Sequence, residues 1–280
     1  MSSTSTRVAG TAIRTRQSSR VRGRSWLLVQ QLAIGLGIVL VWWLVYALGW
    51  LSTDILPSPL SVLVQFVLLA GSGTFWVALL QTLATAATGL VIATVVGVAL
   101  GLVLGLAPPA ERATRFLLDL GRSFPVIALL PVMVLILGTR FQMEATVVFL
   151  AVFWPVLLQT IYGSRRIDPV VRDTTRAYGI RLRLRFLKVL LPAAAPFIAT
   201  GVRIGASLAI LVAVGIELLV RTPGLGFELG AAQSELRPDI AFAYLIYAGL
   251  LGLGVNALLE RLESLVLTWN ARGDVLEVQP

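Results

Sequence analysis

The stretch DTTRAYGIRLRLRFLKVLLP, residues 173–192, separates two strongly apolar segments of the chain. The alternation RLRLRF would suit a β-strand, but a lone strand here would leave its backbone hydrogen-bonding groups unpaired. Two stripes recur instead at helical spacing, one basic and one apolar: Arg181, Arg185 and Lys188, and Ile180, Leu184, Leu187 and Leu191. We therefore predict an amphipathic helix that follows a sharp turn at Gly179 and ends at Pro192.

A second short helix is predicted just before this one. Asp168 can cap it, Pro169 suits its first position, and apolar or small residues recur up to Ala177. A loop whose only role is to carry positive charge needs scattered arginines. It does not need two short helices. Two short helices joined at a glycine predict a docking surface for another protein, whereas the alternative is a solvated, positively charged loop.

The composition predicts an integral membrane protein. Hydrophobic residues make up 57% of the 280 residues, charged residues 13%, and the mean hydropathy is +0.88. Cysteine and histidine are absent, which excludes disulfides, thiol catalysis and histidine-based metal or acid–base chemistry. No catalytic residue and no metal site is predicted. The net charge of +9 comes from arginines beside apolar runs. Orientation of the chain in the membrane therefore explains this charge better than nucleic-acid binding does.

Six apolar runs are candidates for membrane-spanning helices, which need about 20 residues each. The third is the shortest, lies between Pro125 and Gly138, and contains Pro131, which predicts a kink. Gly97, Gly101 and Gly105, and again Gly201 and Gly205, are spaced to let another helix approach closely. The predicted spans are 27–48, 76–106, 124–138, 145–162, 196–220 and 240–265.

The distribution of basic residues predicts cytoplasmic termini. Only Arg140, Arg221 and Arg237 fall in the predicted outer loops, while most of the 23 cations lie in the inner segments. A disordered tail (1–25), a membrane domain (26–270) and a C-terminal tail (271–280) are expected. A short amphipathic helix is expected outside the membrane after Pro57 and Pro59, ended by glycines at 71 and 73.

The opening stretch resembles the EAA loop of ABC importer permeases, which reads EAA, three residues, Gly, nine residues and then I-x-L-P. In this chain Asp173, Thr174 and Thr175 stand at the EAA, and Gly179 is the glycine. Nine residues later, VLLP ends in Leu191 and Pro192. The spacing matches throughout, and DTT in place of EAA keeps an acid followed by two small residues.

Other segments are similar to the nitrate/taurine/sulfonate branch of these permeases. They include the proline-bearing third span, the lead-in to the EAA loop and a fifth-span ending in which a glutamate precedes a Gly-Leu-Gly turn. The LPSP near residue 57 also fits, and the resemblance covers about residues 55–265. The segments are SFPVIALLPVMVLILG (123–138), IDPVVRD (167–173) and VAVGIELLVRTPGLGFEL (212–229).

The resemblance implies an all-α membrane protein with the type I ABC importer permease fold and six spans. It implies a dimer, usually of identical chains, in the plasma (inner) membrane of a prokaryote. Two ABC ATPase subunits, which bind ATP and Mg, would take the EAA helix into a groove, and an extracytoplasmic binding protein would deliver substrate. The chain itself has no G-x-x-x-x-G-K-[ST] motif, so no cofactor is expected in it.

Ionisable and amide side chains within the spans are candidates for a pore or gate. Glu217 is either a gate or packing residue at the dimer axis, or an interface residue paired with Arg221. Arg203 either attracts an anion in the pore or reaches toward the inner interface. Gln81, Gln159 and Asn256 either line the pore or form hydrogen bonds between helices.

We expect the chain to be the permease subunit of an importer for a small anion, taurine or another alkanesulfonate first and nitrate second. A pyrimidine precursor, riboflavin or an aromatic acid is an alternative substrate within the same family. An ion-gradient-driven secondary transporter would require paired acidic residues near the membrane midplane, and Glu217 lies near an end. A membrane scaffold without transport activity is the third hypothesis.

Overall fold

The computed structural model describes residues 18–106, 108–166 and 169–267, and these residues form helices and no β-strand. A 3₁₀ turn (Val126–Leu129) precedes the fifth helix and a π-helical turn (Phe186–Leu190) precedes the ninth. The helices are α1 (Ser18–Ala47), α2 (Pro59–Ala70), α3 (Gly73–Leu106), α4 (Pro108–Ser123), α5 (Leu130–Leu137), α6 (Phe141–Arg165), α7 (Pro169–Ala177), α8 (Leu182–Arg185), α9 (Leu191–Val220), α10 (Leu225–Ser234) and α11 (Pro238–Val266).

The chain divides into two compact units at Ser61 and Val62. In the first unit, α1 presents large apolar side chains such as Leu32 and Ile38 outward, as a helix surrounded by lipid would. The Trp42 indole N–H donates to the Pro57 carbonyl at 3.1 Å, which ties the segment after α1 back to that helix. Because α1 begins at Ser18, the last eight residues of the predicted tail are helical, and residues 1–17 lie outside the described part.

The described residues contain five helical segments long and apolar enough to cross a membrane. A sixth arises if Phe116–Ser123 and Val126–Leu137, which meet at an angle of 82°, count as one broken span. The prediction of an all-helical protein with several spans is confirmed, and the third predicted span is this bent pair. The five segments are Val29–Ala47, Gly73–Leu106, Phe141–Arg165, Arg183–Val220 and Pro238–Val266.

The sequence predicted a kink at Pro131, but the bend does not arise there. Pro131 lies in the first turn of α5, where a missing N–H leaves no helical hydrogen bond unmade. The chain changes direction earlier, where Pro125 has an extended backbone and the 3₁₀ turn begins. The proline that matters for the direction of the chain is therefore Pro125.

The core of the second unit is α6, packed between α3 and α9. A Cβ atom at Gly101 of α3 would lie 2.6 Å from the Thr160 Cβ of α6, so only glycine permits this approach. On the other side, a Cβ at Gly205 of α9 would lie 2.7 Å from Val152. Both glycine stripes therefore face α6, so α6 is the helix whose close approach they allow.

A second packing cluster joins α2, α3, α10 and α11. Phe66 of α2 stacks on Tyr247 of α11 with ring centroids 4.0 Å apart, and the Tyr247 hydroxyl donates to the Phe66 carbonyl at 2.7 Å. Phe75 and Leu225 are fully buried in the same cluster. The predicted short helix after Pro59 is confirmed, and a turn at Gly71 ends it.

Candidate functional site

The segment from α7 to the start of α9 forms a helix–turn–helix at one end of α9. Gly179 has φ +60°, and the Ile180 N–H donates to the Thr175 carbonyl at 3.1 Å. This six-to-one hydrogen bond around a left-handed residue is the Schellman ending of α7. The predicted turn at Gly179 is thus confirmed, whereas the predicted cap Asp168 lies outside the described residues.

The sequence predicted that the second helix of this pair ends at Pro192, but the helix continues past that residue. The chain continues from α8 through the π-helical turn into α9, and Pro192 lies in the first turn of α9. A proline ring normally clashes with the carbonyl four residues earlier, which here belongs to Lys188. Lys188 lies within the wider π-helical turn, which accommodates the proline without ending the helix.

The outer surface of this helix pair is partly apolar. Val170, Tyr178 and Leu184 are exposed, and Tyr178 is 80% exposed. Asp173, Thr174 and Gly179 are also exposed, whereas Thr175 is buried and Leu191 and Pro192 are half-buried. Of the six predicted coupling residues, three therefore face outward and three hold the segment against the rest of the unit.

At the opposite end of α9, Glu217 caps the N-terminus of α10. Its Oε2 accepts hydrogen bonds from the Gly226 N–H and from the Thr82 hydroxyl, both at 2.9 Å. The Thr82 oxygen in turn accepts the Leu225 N–H at 2.9 Å. The first N–H groups of a helix have no partner within the helix, and a carboxylate there also meets the positive end of its dipole.

Glu144, in the first turn of α6, is a second buried carboxyl beside Glu217. It is 3% exposed, and its Oε2 accepts a hydrogen bond from the Thr85 hydroxyl at 3.1 Å. Thr85 lies one helical turn after Thr82 on α3, so the two hydroxyls serve the two glutamates. Glu144 was not among the predicted site residues, because it lies one residue before the predicted span 145–162.

Both arginines bind side chains that the sequence did not predict as their partners. Arg221 does not pair with Glu217: it has a left-handed backbone, and its Nη2 donates to the Ser234 hydroxyl at 2.8 Å. The left-handed residue turns the chain away from the helical path that an i, i+4 pair requires. Arg203 forms an ion pair with Glu263 of α11, at 3.5 Å.

The predicted amides are spread over different surfaces. Gln81 is exposed on α3, Asn256 is half-buried on α11, and Gln159 of α6 packs against Gly201 of α9. The structure describes no hydrogen bond from these three side chains. They do not form one polar cluster in the chain.

A family of known proteins matches more than half of the chain. The family is described as the binding-protein-dependent transport system inner membrane component, and the match covers residues 93–267. The chain belongs to this family. It is therefore a permease subunit of the ABC importer type, and its relatives place it in the nitrate/taurine/sulfonate branch.

Three relatives illustrate how much of the permease is shared. The taurine transport system permease protein TauC of Escherichia coli (strain K12) is 31% identical, over 88% of this chain and 94% of its own. SsuC of the same organism, named for aliphatic sulfonates transport, is 34% identical over the same two fractions. The nitrate import permease protein NrtB of Synechocystis sp. is 32% identical, over 84% of this chain and 88% of its own.

A cavity of about 350 Å³ lies beside the bent helix pair of the permease. Phe124, Trp154 and Leu208 line it together with Arg122, whose Nη2 forms an ion pair with Asp119 at 3.0 Å. The lining is otherwise apolar. Arg122, like Arg203, therefore forms an ion pair with a neighbouring carboxylate. Among the described residues that line the cavity, no cation is unpaired.

Proposed function

We propose that this permease moves a small oxoanion, either taurine or another alkanesulfonate, or nitrate, across the inner membrane of a prokaryote. Its support is the agreement among the relatives, whose names specify aliphatic sulfonates, taurine and nitrate. The arginines near the cavity and in α9 are paired with carboxylates. Substrate choice therefore belongs mainly to an extracytoplasmic binding protein that delivers the anion.

Energy comes from two separate ABC ATPase subunits, which hold ATP and Mg. The observation that carries this coupling is the helix–Gly179–helix segment, with Asp173 and Thr174 exposed beside the apolar Tyr178 and Leu184. Exposed apolar side chains at the end of a membrane protein, rimmed by charge, suit burial against another protein. The partner's groove would take this segment, and a second permease copy would complete the pathway, with both termini cytoplasmic.

The substitution Gly179→Pro tests this proposal. Proline fixes φ near −65°, whereas Gly179 has φ +60°, so the variant cannot form the turn. We expect the variant to insert into the membrane but to lose co-purification with the ATPase subunits. Uptake of labelled taurine, alkanesulfonate or nitrate by the reconstituted complex should fall to background.

The matched control is Gly138→Pro, because Gly138 also has a positive φ (+70°) and open space around it but lies after α5. This control should retain ATPase association. Unchanged association in Gly179→Pro would remove the docking role of the segment. Wild-type uptake of none of the three anions would remove the substrate class while leaving the docking result intact.

A further inference from the structure

Two glutamates lie side by side in the interior of the permease without a cation. Glu217 is fully buried and Glu144 is 3% exposed. They belong to the last turn of α9 and the first turn of α6, and the hydroxyls that bind them, Thr82 and Thr85, lie one helical turn apart on α3. Two like charges in a low-dielectric interior are costly, so such pairs do not both stay ionised unless a cation compensates them.

The charged groups on the surrounding elements do not supply that cation. Arg140, four residues before Glu144, is exposed, and the structure describes no ion pair between them. The Arg221 guanidinium binds Ser234. On α10, Glu228 adds a further acid, and burial, followed by the negative charge of Glu235, raises the pKa of Glu228. The described part of α3 carries no charged residue.

Hydrogen bonds and helix N-termini favour ionisation at both carboxyl groups. Glu217 accepts two donors and faces the N-terminus of the ten-residue helix α10. Glu144 accepts a hydrogen bond from Thr85 and lies in the first turn of α6. Neither group therefore holds the negative charge alone, and the two carboxyl groups form one site for a single proton.

Two buried oxygens in this cluster lack a partner of ordinary hydrogen-bond length. They are the Oε1 of Glu217 and the hydroxyl of Thr222, which is 2% exposed and adjoins Glu144. Buried polar atoms are rarely left without a partner. A proton shared by the two carboxyl groups would supply a donor to the Glu217 Oε1, whereas the Thr222 hydroxyl is itself a donor that can turn toward Glu144.

The space above the carboxylate favours a proton over a metal ion. Gly224 lies directly against Glu217, and a Cβ at that position would collide with both carboxylate oxygens. A Cβ at Gly226 would collide with the Val214 carbonyl of α9. A proton requires no such room, whereas an alkali ion would have to displace the turn between α9 and α10.

We propose that Glu144 and Glu217 form a proton-binding site that holds one proton between them at neutral pH. Loss of this proton would place a second negative charge beside the N-terminal cap of α10 and weaken the attachment of α10 to α3 and α9. The site is reached from the side of the turns at 138–140 and 221–224, the predicted outer side. This inference does not depend on the substrate of the permease.

Infrared spectroscopy of the purified full-length permease tests the proposal, because the C=O stretch of a protonated carboxyl is separate from that of a carboxylate. The wild type should show a protonated-carboxyl band at neutral pH that disappears on alkaline titration. Uniform ¹³C labelling of glutamate should shift the band, which assigns it to Glu rather than Asp. Glu144→Gln should lose the band, and Glu228→Gln should keep it.

Thr222→Val should shift the frequency of the band without removing it, because it removes a neighbouring hydrogen-bonding group but not the acid. Identical spectra of the wild type and Glu144→Gln at neutral pH would overturn the proposal. So would a wild-type spectrum that lacks the band and changes instead when Na⁺ replaces a large organic cation. If Glu144→Gln fails to fold, the frequency shift in Thr222→Val assigns the band to this cluster, and an absent band in the wild type still overturns the proposal.

Discussion

At the scale of single residues, the α9–α10 junction depends on one hydroxyl with two roles. Thr82 donates to Glu217 and accepts the Leu225 N–H, so it joins three helices at a point where all the groups are buried. A buried donor or acceptor that loses its partner costs about 1–3 kcal/mol. Thr82 should therefore matter more to stability than its small size suggests.

Thr82→Val, which keeps the shape and removes the hydroxyl, is expected to destabilise the permease by about 1–3 kcal/mol. Both Glu217 and the Leu225 N–H lose a partner in this variant. Thermal unfolding in detergent measures the change. Thr88→Val on the same helix is the control, since the Thr88 hydroxyl donates to the Ala84 carbonyl of its own helix. Equal losses of stability in the two variants would contradict the bridging role.

Part of this junction was predictable from the sequence. The glutamate before a Gly-Leu-Gly turn marked Glu217, but spacing along a helix suggested Arg221 as its partner. The left-handed backbone of Arg221 ends the helix there, and a left-handed non-glycine residue has no sequence signal. Glu144 and Thr82 come from distant parts of the chain, so only the packing of α3, α6 and α9 brings them to Glu217.

At the scale of elements, α6 is held between α3 and α9 by glycines on both neighbours. Gly101 and Gly205 face α6 so closely that a methyl group has no room. In lipid, helix association depends on close packing because apolar side chains gain little by leaving a hydrocarbon solvent. The glycine stripes are therefore a main source of the attraction between these helices.

Gly101→Ala is expected to destabilise the permease by about 1–3 kcal/mol, because its Cβ would lie 2.6 Å from the Thr160 Cβ. Gly254→Ala on α11 has nothing within 4 Å and should leave stability unchanged or raise it by about 0.5–1 kcal/mol. Unfolding in detergent compares the two. A stabilised Gly101→Ala variant would show that α3 and α6 are not in contact at this point.

Helix boundaries were predictable where glycine ended an element and less so where proline did. Gly179 and Gly71 lie at turns, as expected. Pro192 was expected to end a helix, but the π-helical turn around Lys188 accommodates it. Such a turn depends on one extra residue in the helix, and neither hydrophobic periodicity nor propensity indicates it.

At the scale of the whole molecule, the number of crossings depends on the bent pair, Phe116–Ser123 and Val126–Leu137. If the pair crosses the membrane, Ala113 before it and the turn before α6 lie on opposite sides. The arginine-rich inner segments agree with this arrangement. Hydropathy alone could not decide it, because the 3₁₀ turn and α5 are together shorter than a full span.

Thiol labelling tests the crossing without background, because the chain contains no cysteine. Thr139→Cys, before α6, should react with a membrane-impermeant maleimide added to intact cells. Ala113→Cys, before the bent pair, should react only after the membrane is opened. Both positions are exposed, so access within the protein does not limit the reaction. Labelling of both variants from the same side would mean that the bent pair does not cross.

The helical path from Leu182 to Val220 is unbroken, so it can move as one rigid body. At 1.5 Å per residue this path is roughly 55–60 Å long, and Gly201 and Gly205, which pack closely on α6, lie near its middle. When a rigid helix tilts about a contact near its middle, its two ends move in opposite directions. A tilt imposed near Gly179 would therefore swing Glu217 the other way, and the rigid arm would carry the displacement without any change in its own hydrogen bonds.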